Sequence, residues 1–324
     1  MSLSEHVRTL GRGPGRSRSL TEAEAFDAMS LMLRGAEPQA VGACLMLMRM
    51  KGETAEEIAG FARAAQEALP PLPCTDLDWP SYAAGRTRGL PWFLLSARLI
   101  ASSGRRVMLH GWNGSDSAVR DGLDTLGISV VRKPGDAAAA LDRDGIVYLP
   151  LEDLHPALFA LLDLRKVFGL RSCVNTVCRM LNPGRAGASV QGVFHPPYRL
   201  LQQDAAALMG WRQMTVIKGG GGEFERHPGK IIEGFGLRYG SRWEENLPAL
   251  VHDSRRLADL HLPSSALLDL WERDEGPDFA RQMVLGTAAL ALRTLGKDDT
   301  VDTLWANRHA PRASLAHAAH GIRN

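Results

Sequence analysis

ASVQGVFHPPYRLLQQDAAALMGWRQMTVIKGGGG, residues 188–222, decides the architecture. A run of small and β-branched residues over Ala188–Val193 leads into a helical pattern over Tyr198–Met209, and a second apolar run, Met214–Lys218, ends in four glycines. Strand, helix and strand in about thirty residues is the unit of a parallel sheet covered by helices. The alternation recurs upstream. Candidate strands at Arg106–Leu109, Ser129–Arg132 and Ile146–Leu149 are interleaved with helical patterns at Trp92–Ser102 and Ser117–Leu126. The segment Pro156–Leu181 is too long and too helical for a simple crossover, so part of 156–185 is expected to return to whatever precedes the sheet.

What precedes it reads as helices. Thr21 with Glu24 three residues on is a capping box that opens a helix expected to stop near Gly35; a second starts around Glu37 and Pro38, and a third runs from Ala55 through the sixties. Before Leu20, GRGPGRSRS reads as a flexible basic loop. Residues 1–68 are therefore expected to form a helical domain with a basic arm, 69–73 a Pro-rich linker, and 74–324 an α/β domain with a mainly parallel central sheet. Two more helices are expected between Ser264 and Gly296, and a last one from Thr300 in a tail carrying His309, His317 and His320.

The composition agrees with a two-domain globular chain. There are 324 residues, 45% hydrophobic and 23% charged, which excludes disordered, collagen-like and low-complexity classes. Thirty-eight Lys and Arg against 36 Asp and Glu leave a net charge of +2, so the overall balance names no partner. No stretch approaches the roughly 18 apolar residues that cross a bilayer, and Arg8, Arg12, Arg16 and Arg18 interrupt any signal core. A cytoplasmic protein is the expectation. The four cysteines show no metal-site spacing and read as buried thiols.

The average charge conceals segregation. From Leu164 to Arg185 the chain holds Arg165, Lys166, Arg171, Arg179 and Arg185 and no acid. Such a stretch either solvates itself or meets an anion. The glycine run Gly219–Gly222 after a strand lets a backbone approach a ligand, and Glu223 and Glu225 beyond it are oxygen donors of the kind Mg²⁺ accepts near phosphates; the bland alternative is a flexible hairpin. His110-Gly111-Trp112-Asn113 is a third polar turn at a strand end, and Arg86, Thr87 and Arg88 form a basic cluster upstream. No nucleophile elbow, P-loop or dinucleotide fingerprint is present.

Taken together these residues resemble the glycosyltransferase family of anthranilate phosphoribosyltransferase and the pyrimidine nucleoside phosphorylases. Leu20-Thr21-x-x-Glu24-Ala25 and Lys51-Gly52-Glu53-Thr54-x-x-Glu57-Ile58-x-Gly60 look like that family's helical domain, and Arg165, Arg171, Asn175 and Asn182-Pro183 reproduce its mid-chain spacing, followed by Gly192-Val193. The late helix Val284–Leu292 also fits, so the likeness covers nearly the whole chain.

The resemblance implies a homodimer joined through the helical domain, with phosphoribosyl pyrophosphate bound in the cleft between domains. It places phosphate and substrate at Arg86, Thr87, Arg88, His110, Gly111, Asn113, Arg165, Arg171, Asn175, Lys218, Gly219 and Gly220, and Mg²⁺ at Glu223 and Glu225. Arg165 corresponds to the family's arginine that faces the anthranilate carboxylate. Three parts depart from the pattern. The Gly-Thr-Gly-Gly-Asp loop is Ala83-Ala84-Gly85-Arg86-Thr87, the Lys-His-Gly-Asn turn has lost its lysine to Leu109, and Gly222-Glu223 keeps one acid of the metal pair. These departures are similar to a divergent YbiB-type branch known as nucleic-acid-binding dimers. The expected function is therefore a degenerate phosphoribosyl pyrophosphate site that binds nucleic acid or phosphate, through Arg12, Arg16, Arg18, Arg165, Lys166, Arg171 and Arg179. The alternative is an active Mg²⁺-dependent phosphoribosyltransferase with an aromatic acceptor such as anthranilate.

Overall fold

The computed structural model describes residues 2–83, 89–114, 116–253, 262–297 and 300–310. Its first part is all-helical: α1 (Leu3–Gly11), α2 (Glu22–Leu33), α3 (Pro38–Lys51) and α4 (Ala55–Glu67). Thr21 caps α2 through the reciprocal box with Glu24, and Thr54 caps α4 through an equivalent box with Glu57. Gly60 is where α2 and α4 meet: a Cβ there would lie 2.2 Å from the Glu22 carbonyl oxygen, so the two backbones touch.

The remainder runs β1 (Leu77–Ser81), α5 (Phe93–Ser102), β2 (Val107–Gly111), α6 (Ala118–Thr125), α7 (Ala137–Asp144) and β3 (Ile146–Pro150). Four short helices follow, α8 (Leu151–Leu154), α9 (Pro156–Asp163), α10 (Arg165–Phe168) and α11 (Val174–Arg179). Then come β4 (Ala188–Val193), α12 (Tyr198–Leu208), β5 (Gln213–Lys218), the hairpin β6 (Ile232–Arg238) and β7 (Ser241–Leu247), and α13 (Ser265–Arg273), α14 (Asp278–Thr294) and α15 (Val301–Ala306). The sheet has seven strands in the order β3-β2-β1-β4-β5-β6-β7, parallel from β3 to β5 and antiparallel beyond.

Alternation along the strands builds two cores. Met108, Val147 and Leu149 pack on one face with the helical unit and α12, while Val107, Leu109, Ile146 and Tyr148 pack on the other with α5, α13 and α14. Both faces are covered, as a parallel sheet requires. The helical unit is thus continuous with one core of the sheet, and α9 and α11, from the segment expected to return to it, carry Leu158 and Val177 into that same core.

Two local expectations are corrected, the first being the cysteines: Cys44, Cys173 and Cys178 are buried, but Cys74 is exposed. Ser129–Arg132 is not a strand; only Val130 bridges to Tyr148. Strand β1, LDWPS, replaces it as the missing member of the sheet and sits between β2 and β4. Ahead of the GRGPGRSRS loop, which holds no helical residue after Gly11, lies a helix the sequence did not announce, α1, whose Leu3, His6 and Leu10 are buried. Of the His-rich tail, His309 is described, while His317 and His320 lie outside the described residues.

His155 joins the two parts. Its Nδ1 accepts from the Leu158 backbone N–H at 3.3 Å, capping α9, while Nε2 is buried with no hydrogen bond among the described residues. Burial lowers its pKa, so the unfolded chain takes up this proton first. Stability should be fully present above the ordinary histidine value of about 6.5 and be lost as pH falls below it, by at most about 1.4 kcal/mol per pH unit. Urea unfolding of the wild type and of His155→Asn between about pH 7.5 and 5.5 checks this: the variant is expected to show the shallower decline.

Candidate anion-binding cleft

The strand order reverses direction between β1 and β4, and the crevice beyond such a switch point is where an open α/β sheet binds ligands. Here the crevice is opened by the pairing itself. β1 and β4 are in register only at Leu77↔Ala188 and Asp78↔Ser189, after which Pro80, lacking an N–H, needs no partner on that side.

Glu223 locks the crevice floor. Its Oε1 accepts from Ser81 Oγ at 2.9 Å and from the Ala83 N–H at 3.0 Å, and the residue is fully buried. The loop that brings it there lies against β4 with no room to spare: a Cβ on Gly192 would lie 2.0 Å from the Glu223 carbonyl carbon, and one on Gly219 1.6 Å from its oxygen. Gly222, at φ 96°, takes a conformation that side chains disfavour. Three amides here are already used, since Gly219 N–H donates to Val193 O at the end of β4, Gly222 N–H to Gly219 O and Glu223 N–H to Gly220 O.

Arg179, at the end of α11, crosses this floor. Its Nε donates to Gly192 O at 3.0 Å, Nη2 to Tyr82 O at 3.1 Å, and Nη1 to both the carbonyl and the side-chain oxygen of Asn175. Next to it Asp78 accepts from Ser189 Oγ at 2.7 Å and from His110 Nε2 at 3.1 Å; since a carboxylate only accepts, Nε2 carries the proton and Nδ1 takes the Tyr82 hydroxyl at 2.8 Å. Burial pushes the Tyr82 pKa up, which keeps that hydroxyl a donor. Asn113 bridges Ser81 and Tyr148. A cavity of about 210 Å³ is lined by Arg49, Arg165, Arg171 and Arg179 with His195 and Tyr198; among the described residues no Asp or Glu lines it, although Glu53 Oε2 accepts from the Tyr198 hydroxyl at 3.5 Å.

Two models of one family cover most of the chain: the glycosyl transferase family helical bundle domain over residues 4–69 and the glycosyl transferase family a/b domain over residues 93–233. Anthranilate phosphoribosyltransferase 2 of Streptomyces coelicolor is 32% identical, over 86% of this chain and 87% of its own. The chain belongs to this glycosyl transferase family. Anthranilate phosphoribosyltransferase of Geobacillus kaustophilus is 28% identical over 88% of this chain and 87% of its own. The crystal structure of the Thermus thermophilus enzyme superposes with a TM-score of 0.76 at 25% identity, covering 94% of this chain and 92% of that one. A Saccharomyces cerevisiae enzyme solved in complex with PRPP and Mg, 17% identical over 94% of this chain and 92% of that one, shares the fold at a TM-score of 0.72.

Against that family background the two carboxylates nominated for Mg²⁺ do not fit a shared metal. Glu225 is 1% exposed and its Oε1 accepts from the Phe93 N–H at 3.0 Å, while Glu223 faces Ser81 and Ala83. Among the described residues no group of three His, Cys, Asp or Glu side chains gathers, and a Mg²⁺ held by one or two carboxylates would have to draw its other ligands from phosphate and water.

The other nominated residues fall into three groups. Arg165, Arg171 and Asn175 meet at the cavity. His110, Gly111 and Asn113 lie at the same strand ends but are buried or bonded inward, Gly111 because a Cβ there would lie 2.0 Å from Ser81 O. Lys218, Gly219 and Gly220 border the loop, with Lys218 exposed. Arg86, Thr87 and Arg88 lie outside the described residues. Of the basic residues nominated for nucleic acid, Arg12 and Arg16 are exposed, Arg18 is paired with Glu24 and Lys166 with Asp163, and Arg179 is buried. Sequence reasoning missed Arg49, His195 and Tyr198, which reach the cavity from α3 and from the start of α12. The signal available for them was the turn His195-Pro196-Pro197-Tyr198 at a strand end.

Proposed function

We propose that this family member uses its interdomain cleft to bind a phosphate polyanion, single-stranded nucleic acid, and that Mg²⁺-dependent sugar transfer has been lost. The observation that carries the reading is the pairing of a cavity lined by four arginines and, among the described residues, no acid with two carboxylates turned inward as structural acceptors. Phosphate neutralisation by Arg and Lys supplies most sequence-independent affinity. Exposed Arg12 and Arg16 extend the basic surface. The proposal includes a cytoplasmic homodimer through the helical unit, on which Met50 is 84% exposed; among the described residues no helix is long and apolar enough to cross a membrane.

The second reading has its own support, and the relatives favour it over the first. The curated relatives named above are anthranilate phosphoribosyltransferases aligned over most of this chain. On that reading phosphoribosyl pyrophosphate enters the cleft with Mg²⁺ and Arg165 orients the carboxylate of an aromatic acceptor.

Fluorescence anisotropy with a labelled thymidine oligonucleotide separates the two. The first reading expects affinity to fall about tenfold between roughly 50 and 200 mM salt, as neutralising about two to three phosphates of a single strand requires, and to fall further in Arg165→Glu. Salt-insensitive or absent binding, together with turnover of phosphoribosyl pyrophosphate and anthranilate in Mg²⁺, would establish the second.

A further inference from the structure

Arg179 is an unusual cation. It is 5% exposed, and its hydrogen-bond acceptors, the carbonyl oxygens of Tyr82, Asn175 and Gly192 and the Asn175 amide oxygen, are all neutral. Burying a guanidinium without a contacting counter-ion is costly. The charge that Arg179 feels most is Glu223, yet the Glu223 carboxylate is bonded to Ser81 and Ala83, and its Oε2 is buried with no hydrogen bond among the described residues. The site therefore holds a positive and a negative group that attract one another without touching.

The place of this cation is as telling as its partners. Arg179 bonds the segment after β1 to the end of β4 and lies beside the loop after β5, where a Cβ on Gly222 would lie 3.5 Å from Nη2. Four of its N–H donors are used by these oxygens, and the remaining one belongs to Nη2, the nitrogen beside Gly222. The same residue lines the cavity that Arg49, Arg165 and Arg171 enter. A divalent cation in a phosphate site neutralises charge at the carboxyl ends of the strands; here a guanidinium bonded to Tyr82 O and Gly192 O stands beside those ends, while Oε1 of Glu223 and Oε1 of Glu225 accept from the chain itself.

We propose that Arg179 takes the place of a divalent metal in this cleft, so that phosphate and pyrophosphate groups bind without metal, held by Arg179 together with Arg165 and Arg171. This rests on the phosphate-binding reading given above and goes beyond it in naming the cation and dispensing with the metal. A guanidinium offers paired donors to phosphate oxygens. Glu223 then acts as a nearby negative charge that weakens the anion, the reverse of what a metal ligand does.

Calorimetric titration of inorganic pyrophosphate into the full chain tests this, in EDTA and in excess Mg²⁺. Wild type is expected to bind at least as tightly in EDTA as in Mg²⁺. Arg179→Met should lose about tenfold in affinity, the loss of one charge-assisted contact, and Arg179→Lys should fall between. Glu223→Gln, which keeps an acceptor for Ser81 and Ala83 but removes the charge, should bind pyrophosphate about threefold more tightly, as loss of one screened like charge implies. That last variant decides the matter even if Arg179→Met does not fold.

Binding that appears only with Mg²⁺, an unchanged affinity in folded Arg179→Met, or weaker binding in Glu223→Gln each overturns the inference. If pyrophosphate fails in both buffers while the oligonucleotide binds with its salt dependence, the inference falls and the proposed function stands. If neither binds, both fall. Metal-free pyrophosphate binding without oligonucleotide binding leaves the inference in place and removes the nucleic-acid reading.

Discussion

Gly192→Ala should unfold the cleft before it does anything else. The new methyl carbon would lie 2.0 Å from the Glu223 carbonyl carbon, 2.2 Å from its oxygen and 2.4 Å from the Phe224 nitrogen, all backbone atoms that have no rotamer to escape into. Either β4 moves, breaking its register with β5, or the 219–224 loop lifts and takes Glu223 away from Ser81 and Ala83. Overpacking of side chains alone costs about 1–3 kcal/mol, and a backbone collision belongs at or above the top of that range. The expected loss is about 3 kcal/mol or more in urea unfolding, with pyrophosphate and oligonucleotide binding abolished in whatever folded protein remains. Gly187→Ala is the control, one residue before β4, because nothing lies within 4 Å of its Cβ position and its backbone is not left-handed. A Gly192→Ala protein as stable as Gly187→Ala would show that the loop is not held against β4.

That contact also marks where the sequence stopped being readable. Periodicity located β2, β3, β4 and β5 because each alternates buried side chains between two faces. It passed over β1, since LDWPS carries Asp78 and Pro80, both depleted in strands; the tertiary structure accommodates Asp78 with two donors and leaves Pro80 where β4 has diverged. The β6–β7 hairpin was missed for a related reason. Gly234 and Gly236 weaken the strand signal, and β7 is mostly polar because it closes the antiparallel end of the sheet.

The candidate site shows a sharper limit. Glu223 and Glu225 were legible as carboxylates beside a glycine run, which is what a metal site requires in composition. Their actual partners are backbone N–H groups 140 and 132 residues away, at Ala83 and Phe93. No local pattern encodes such a contact. Likewise Arg179 belonged, in the sequence, to an acid-free basic stretch like Arg165 and Lys166, and only the packing of α11 against α4, α9 and β1, with the guanidinium reaching Gly192 O, separates the buried cation from the exposed ones.

A second large effect is expected far from the cleft floor, at Glu57. This carboxylate is fully buried at the joint of three segments. Oε1 accepts from the Leu20 N–H at 2.8 Å; Oε2 accepts from the Thr54 N–H at 2.9 Å and from Lys51 Nζ at 2.8 Å. Glu57→Ala would leave two backbone donors without their acceptor and the Lys51 ammonium, 23% exposed, without its counter-ion. Removing one partner of a buried pair costs about 3–5 kcal/mol, and that is the expected fall in unfolding free energy. Glu57→Gln keeps an oxygen for one segment and should cost about half as much. Replacing Lys51 by Met in the Glu57→Ala background should recover part of the loss, since no unpaired ammonium is then held near the core; no recovery would mean that the backbone donors alone account for it. The consequence reaches the ligand, because Lys51 ends the same helix, α3, that carries Arg49 to the cavity. Pyrophosphate affinity should therefore drop in Glu57→Ala at a temperature where the protein is still folded, and should be nearly retained in Glu57→Gln.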